Sequence, residues 1–123
     1  MTEAPVIAVV DDDESIRTGV ARLLRAAGYG VRVFDSAEAF LADDANPATA
    51  ALVTDIQMPG MSGLDLQAMV NRERPELGVL MMTGYPDALT RQRALDAGAR
   101  CVLSKPFDAD ELLAELETAI RGS

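Results

Sequence analysis

Histidine is missing from this 123-residue chain. That absence removes Ser-His-Asp nucleophilic catalysis, imidazole acid–base chemistry and His-ligated zinc together. Cysteine occurs once, at Cys101, so neither an internal disulfide nor a cysteine zinc site can form. Placed within an apolar run, Cys101 reads as a small core residue. No apolar stretch reaches the roughly 18 residues of a membrane span, and no secretory leader is recognisable; a cytoplasmic location without a membrane partner is expected. Basic residues are outnumbered: 11 Lys and Arg stand against 20 Asp and Glu, a formal charge of -9. Direct nucleic-acid binding by this domain is not expected, because phosphate contacts need clustered cations. Repeats, low-complexity tracts and linkers are also lacking. Residues 1–123 are therefore expected to form a single domain, long enough to bury about two-thirds of the unfolded surface.

Four short apolar runs are present instead, and each ends on a chemically capable residue. Val6-Ile7-Ala8-Val9-Val10 runs into Asp11-Asp12, and Ala51-Leu52-Val53-Thr54 into Asp55. Val79-Leu80-Met81-Met82 runs into Thr83, and Cys101-Val102-Leu103-Ser104 into Lys105-Pro106. Runs of this length bounded by Gly, Pro and Asp predict buried strands. Between them lie helical patterns. Ile16, Val20, Leu23, Leu24 and Ala27 recur at helical spacing before Gly28. Val31 to Phe34 is a further short strand, and Ser36 is an N-cap for a helix carrying Ala39, Phe40 and Leu41 that Asn46-Pro47 breaks. Leu66, Met69 and Val70 mark a third helix closed by Pro75, and Pro86 suits the start of a fourth, stopped by Gly98. Asp108 to Glu111 is a capping box for a last helix with Leu112, Leu113, Leu116 and Ile120 inward.

This alternation calls for a doubly wound α/β fold with helices on both faces of a parallel sheet. Five strands with five helices favour the flavodoxin-like order 2-1-3-4-5, whose ligand crevice lies between the first and third strands. Asp11, Asp12 and Asp55 sit at the carboxyl ends of those two strands. Each residue also has a plain structural role available. Asp11 to Glu14 could cap a helix, Asp55 could form a turn with Pro59 and Gly60, Thr83-Gly84 could be a simple turn, and Lys105 could be a solvated loop lysine. Those roles do not account for all four at one sheet edge.

Carboxylates crowded there repel, by about 4 kcal/mol for two unit charges about 4 Å apart at an effective dielectric near 20. A lysine, a proton or a divalent cation would relieve them. An all-oxygen site open to water and phosphate suits Mg²⁺. Phosphoryl transfer needs in-line placement and neutralised oxygens, and a carboxylate can be its nucleophile. Asp55 would attack, and Lys105 and Thr83 would take phosphoryl oxygens. Lys105 precedes proline, which predicts an extended backbone where the chain leaves the strand.

The segments Val9 to Glu14, Val53 to Gly63, Met82-Thr83-Gly84 and Lys105-Pro106-Phe107 together resemble the receiver domain of two-component response regulators, over Val6 to Ile120. The resemblance implies that Asp55 accepts a phosphoryl group from the phosphohistidine of a sensor histidine kinase. It implies Mg²⁺, with Mn²⁺ as a substitute, held by Asp12, Asp55 and the main-chain carbonyl of Gln57, with Asp11 acting through water. Thr83 would be the switch hydroxyl and Lys105 the counter-charge to the phosphate. The domain would be regulatory, acting as an enzyme only in assisting its own phosphorylation and dephosphorylation. The fourth helix and fifth strand would form a face for homodimerisation. Ser36 to Leu41 and Gln57 to Gly63 look most like the FixJ branch of transcriptional regulators, which carry a C-terminal DNA-binding domain. No output domain is expected within these 123 residues. The sequence leaves open a stand-alone regulator and a domain cut from a longer chain.

Two positions depart from the family pattern. Val102 stands three before the lysine, where family members often carry an aromatic relay. Tyr85-Pro86-Asp87 follows the switch threonine, so Pro86 is expected to stiffen the start of the fourth helix and Tyr85 to take over part of the relay. Two other functions fit some of the residues. A haloacid dehalogenase-type phosphatase also uses an aspartyl nucleophile, and Asp11-x-Asp13 has its spacing, though no cap domain is expected in so short a chain. A degenerate receiver would serve only for docking; the full set of Asp11, Asp12, Asp55, Thr83 and Lys105 argues against it.

Overall fold

The computed structural model describes residues 4–43, 48–85 and 87–121. Strands and helices alternate along it: β1 Val6–Val10, α1 Glu14–Ala26, β2 Gly30–Phe34, α2 Ala37–Leu41, β3 Thr49–Asp55, α3 Gly63–Glu73, β4 Gly78–Thr83, α4 Ala88–Ala97, β5 Cys101–Ser104 and α5 Ala109–Ile120. All neighbouring strands are parallel, in the order β2-β1-β3-β4-β5. The expected doubly wound architecture is the one found.

Period-two alternation splits the strands' apolar side chains between two layers. Ile7, Val9, Val53, Leu80, Met82 and Leu103 face α1 and α5, meeting Val20, Leu24, Leu112 and Leu116. Ala8, Val10, Leu52, Val79, Met81 and Val102 form the other layer with Phe40, Leu66, Val70 and Ala94. Cys101 is partly buried against the first layer, and desolvation there pushes its thiol pKa up to about 12. It is a packing residue, as its apolar run suggested.

Side-chain caps close the helix N-termini. Asp13, Ser36, Asp87 and Asp108 cap their helices. Asp108 accepts from the Asp110 and Glu111 N–H groups, so of the capping box expected there the N-cap half is what forms. A reciprocal capping box forms at Ser62 and Asp65, opening α3. The sheet strands β2 and β3 begin earlier than their apolar runs, at Gly30 and Thr49. The Lys105–Pro106 peptide bond is cis. Asn46-Pro47 and Pro86 lie outside the described residues, so the expected break and the expected stiffening have no structural description.

The helix α4 is the least embedded. Ala94 is its buried residue, while Leu89 and Leu95 are 60% and 38% exposed. Its carboxyl end is tied to α3 instead by polar groups. Gln67 donates to Asn71 at 2.8 Å, and Asn71 donates to the Ala97 carbonyl at 2.7 Å. Gly98 closes the helix in a left-handed conformation, φ 118°, directly against these two amides.

Candidate functional site

The carboxyl edge of the sheet collects the acids. As β1 ends, Asp13 turns its carboxylate to the N–H groups of Ser15 and Ile16, at 2.8 and 3.3 Å, and Glu14 enters the first turn of α1. Helix capping thus absorbs these two acids and leaves Asp11 and Asp12. Asp11 is fully buried. One of its carboxylate oxygens accepts from the Asp13 N–H at 2.9 Å and the other from Lys105 Nζ at 2.9 Å. Its main-chain carbonyl accepts from the Arg17 guanidinium at 2.7 Å. Asp12 is exposed.

Asp55 lies one step beyond the Val10–Thr54 pair of the β1–β3 register, level with Asp11. It is 5% exposed. Lys105, the only lysine of the chain, reaches it at 3.3 Å from beyond β5. The Lys105 main-chain N–H also donates to the Thr83 carbonyl at 2.8 Å, tying the ends of β4 and β5. Gly63 places α3 against the same strand end: its N–H donates to the Ile56 carbonyl at 2.9 Å. A Cβ on Gly63 would collide with the Asp55 carbonyl oxygen and crowd the Ile56 Cα. From the α2 side, Glu38 accepts the Met61 N–H at 3.3 Å and so steadies the β3–α3 loop.

The electrostatics follow from this crowding. Burial, then the neighbouring Asp11 charge, raise the Asp55 pKa above its ordinary 3.8, with Lys105 pulling the other way. Burial acts to lower the Lys105 pKa, but the Asp11 hydrogen bond and the charges of Asp11 and Asp55 outweigh it, and the net shift is upward. The ammonium is therefore held charged between two acids. Ligand atoms of Asp11, Asp12 and Asp55 lie within 4.8 Å of one another. Oxygen-only donors, one acid exposed and one with a hydrogen bond on each carboxylate oxygen, match a hard cation that keeps several waters.

Thr83, at the end of β4, is fully buried. Its hydroxyl donates to Gln57 Oε1 at 3.0 Å and accepts the Tyr85 N–H at 2.9 Å. The family resemblance implies only a main-chain role for Gln57. The side-chain contact joins residues far apart in sequence, and only the adjacency of β3 and β4 hints at it. Tyr85 is 68% exposed, and it is its backbone N–H that touches Thr83. Val102 is a core residue of the α2–α3–α4 layer, 4% exposed. The Asp11-x-Asp13 pair does not form a two-acid site, since the Asp13 carboxylate is engaged by the helix it caps.

Comparison with known proteins gives a consistent outcome. The response regulator receiver domain model matches residues 7–117. The transcriptional regulatory protein FixJ of Bradyrhizobium diazoefficiens is 40% identical over 123 residues, covering 98% of this chain and 59% of that protein. The DNA-binding transcriptional regulator NtrC of Salmonella typhimurium is 40% identical over 115 residues, 94% of this chain and 24% of that protein. The chain thus spans under two-thirds of these curated relatives. Among solved structures, the BeF3-activated DrrB receiver domain superposes with a TM-score of 0.88 at 32% identity, covering 96% of this chain and 98% of that one. A response regulator receiver domain protein from Clostridium thermocellum gives 0.86 at 28% identity, with 95% and 94% covered.

Proposed function

The chain belongs to the response regulator receiver domain family, and from that membership we propose that Asp55 is the phosphoacceptor of a two-component signalling system. One observation carries the assignment. The Asp55 carboxylate stands 3.3 Å from the Lys105 ammonium, with ligand atoms of Asp11 and Asp12 within 4.8 Å. The donor is the phosphohistidine of a sensor histidine kinase, since this chain has no imidazole of its own. An Asp55 oxygen forms the new bond to phosphorus, the phosphorus–nitrogen bond breaks, and the imidazole leaves with that electron pair.

Asp12, Asp55 and the Gln57 main-chain carbonyl would hold Mg²⁺, or Mn²⁺ in its place. Asp11, with both carboxylate oxygens already engaged, would act through water. Bound there, the cation supplies positive charge to the phosphoryl oxygens. Lys105 neutralises a further oxygen, and Thr83 donates its hydroxyl to another. The same groups assist both gain and loss of the phosphoryl group, so the domain is regulatory and turns over no separate substrate.

The added charge, roughly -1.5 to -2, would be read at α4 and β5. That face carries exposed Leu89 and Leu95, and we assign it to homodimerisation on phosphorylation. Residues 1–123 would then be one cytoplasmic receiver domain acting on transcription through a separate C-terminal DNA-binding domain; FixJ is a transcriptional regulatory protein and NtrC a DNA-binding transcriptional regulator, and both extend beyond the matched part. None of the helices among the described residues is long and apolar enough to cross a membrane.

Incubation with acetyl phosphate and Mg²⁺, followed by intact mass measurement, tests the assignment. One phosphoryl adduct is expected on the wild type and none on Asp55→Asn. An adduct of equal yield on Asp55→Asn, or turnover of a phosphate ester by that variant, overturns it.

A further inference from the structure

The Thr83 hydroxyl has a single proton to donate, and in this structure it goes to Gln57 Oε1 at 3.0 Å. Its acceptor side is taken by the Tyr85 N–H at 2.9 Å. A phosphoryl oxygen on Asp55 can receive the Thr83 proton only after the bond to Gln57 has broken. Building on the reading of Asp55 as phosphoacceptor, we propose that the Gln57 carboxamide is a latch. It holds the switch hydroxyl in the unphosphorylated arrangement and sets how readily Thr83 turns to the phosphoryl group.

The two partners differ in what release costs them. Gln57 is exposed, so water can take over its freed carboxamide. Thr83 has no exposed surface, so its freed proton finds no bulk water, and a buried donor without an acceptor is strongly unfavourable. Release therefore requires a new acceptor inside the pocket, which the phosphoryl group provides. Gln57 also belongs to the loop that follows Asp55, and its main-chain N–H bonds the Asp55 carboxylate, a small pull against the net upward shift that burial and Asp11 impose. The latch and the phosphoacceptor thus share one short stretch of backbone. Gln57 is a positioning residue here: its side chain acts through Thr83.

Calorimetric titration with beryllofluoride and Mg²⁺ tests this on four proteins: wild type, Gln57→Met, Thr83→Ala and the double variant. Methionine keeps the length of the side chain and removes the acceptor oxygen. Gln57→Met should bind beryllofluoride roughly three- to tenfold tighter, the equivalent of one neutral hydrogen bond no longer opposing the switch. In the Thr83→Ala background the same substitution should change affinity by less than about twofold, since the latch has nothing to hold. Equal or weaker binding by Gln57→Met overturns the proposal. So does a tightening that persists without Thr83, which would mean that Gln57 acts on the pocket directly.

A second measurement stands apart from any ligand. The Thr83 methyl carbon shift in metal-free protein reports its χ1 rotamer. A single rotamer is expected in wild type and in Gln57→Glu, which keeps an acceptor oxygen, and a mixture in Gln57→Met. An unchanged single rotamer in Gln57→Met overturns the latch. If wild type binds no beryllofluoride, the phosphoacceptor reading fails while the rotamer measurement still decides the latch.

Discussion

Gly63 begins α3 with its Cα pressed against the end of β3, where any Cβ would collide with the Asp55 carbonyl oxygen. The obstructing atoms are backbone, so they cannot rotate away as a side chain could. Gly63→Ala should cost roughly 1–3 kcal/mol, the usual range for overpacking, read from the midpoint of urea unfolding at unchanged slope. It should also weaken beryllofluoride binding, because the shift falls on Asp55 itself. A variant with wild-type stability would show that α3 can withdraw without disturbing the strand. Sequence alone made Asp11, Asp12, Asp55, Thr83 and Lys105 visible as a set, because each ends an apolar run and parallel strands align such ends. It did not show that Gly63 must lack a side chain or that Gln57 meets Thr83. Those facts depend on which backbones approach closely after folding, and no local pattern records that.

Each helix is secured by how much apolar surface it buries, and here α4 stands apart. Its sequence sets Arg91, Gln92 and Arg93 between Leu89 and Leu95, a thin apolar stripe, and in the structure Ala94 is buried while Leu89 and Leu95 reach solvent. Sequence reading could see that weakness, since it is a matter of spacing. What it could not see was the Gln67–Asn71–Ala97 tie, because polar residues on α3 give no sign of their partners on another helix. The buried Gln67 Oε1 has no hydrogen-bond partner among the described residues, so this tie is a polar compromise in an apolar layer. The two ends of α4 should therefore differ. In native-state hydrogen exchange, α4 amides should open at lower free energy than those of α1 or α5. Within α4, Asn71→Ala should lower protection of the last turn most. Protection in α4 equal to that in α5 would show that its thin apolar contact does not make it less stable than its neighbours.

At the scale of the molecule, a net charge of -9 meets a pocket where three acids face one lysine. Because Asp55 has its pKa raised by burial and by Asp11, the native state binds that proton more tightly than the unfolded chain does. Its contribution to stability is then complete below the unfolded value of 3.8 and is lost as pH rises through the folded value. At neutral pH the ionised Asp55 opposes folding, and Asp55→Asn should melt above wild type in chelator-treated buffer. The gap should close as pH falls to the unfolded value. Mg²⁺ should act in the opposite sense by binding only the folded site, giving about 2.7 kcal/mol at a hundred times its Kd, with roughly 3–5 °C of Tm for each kcal/mol in a domain of this size. That rise should be larger in wild type than in Asp12→Ala, while general screening of the acidic surface affects both alike. Equal rises would place the metal elsewhere. Asp55→Asn melting below wild type without metal would mean that the 3.3 Å pairing with Lys105 outweighs burial and repulsion. The acceptor would then rest in a relaxed pocket, and the strain that Mg²⁺ is expected to relieve would not exist.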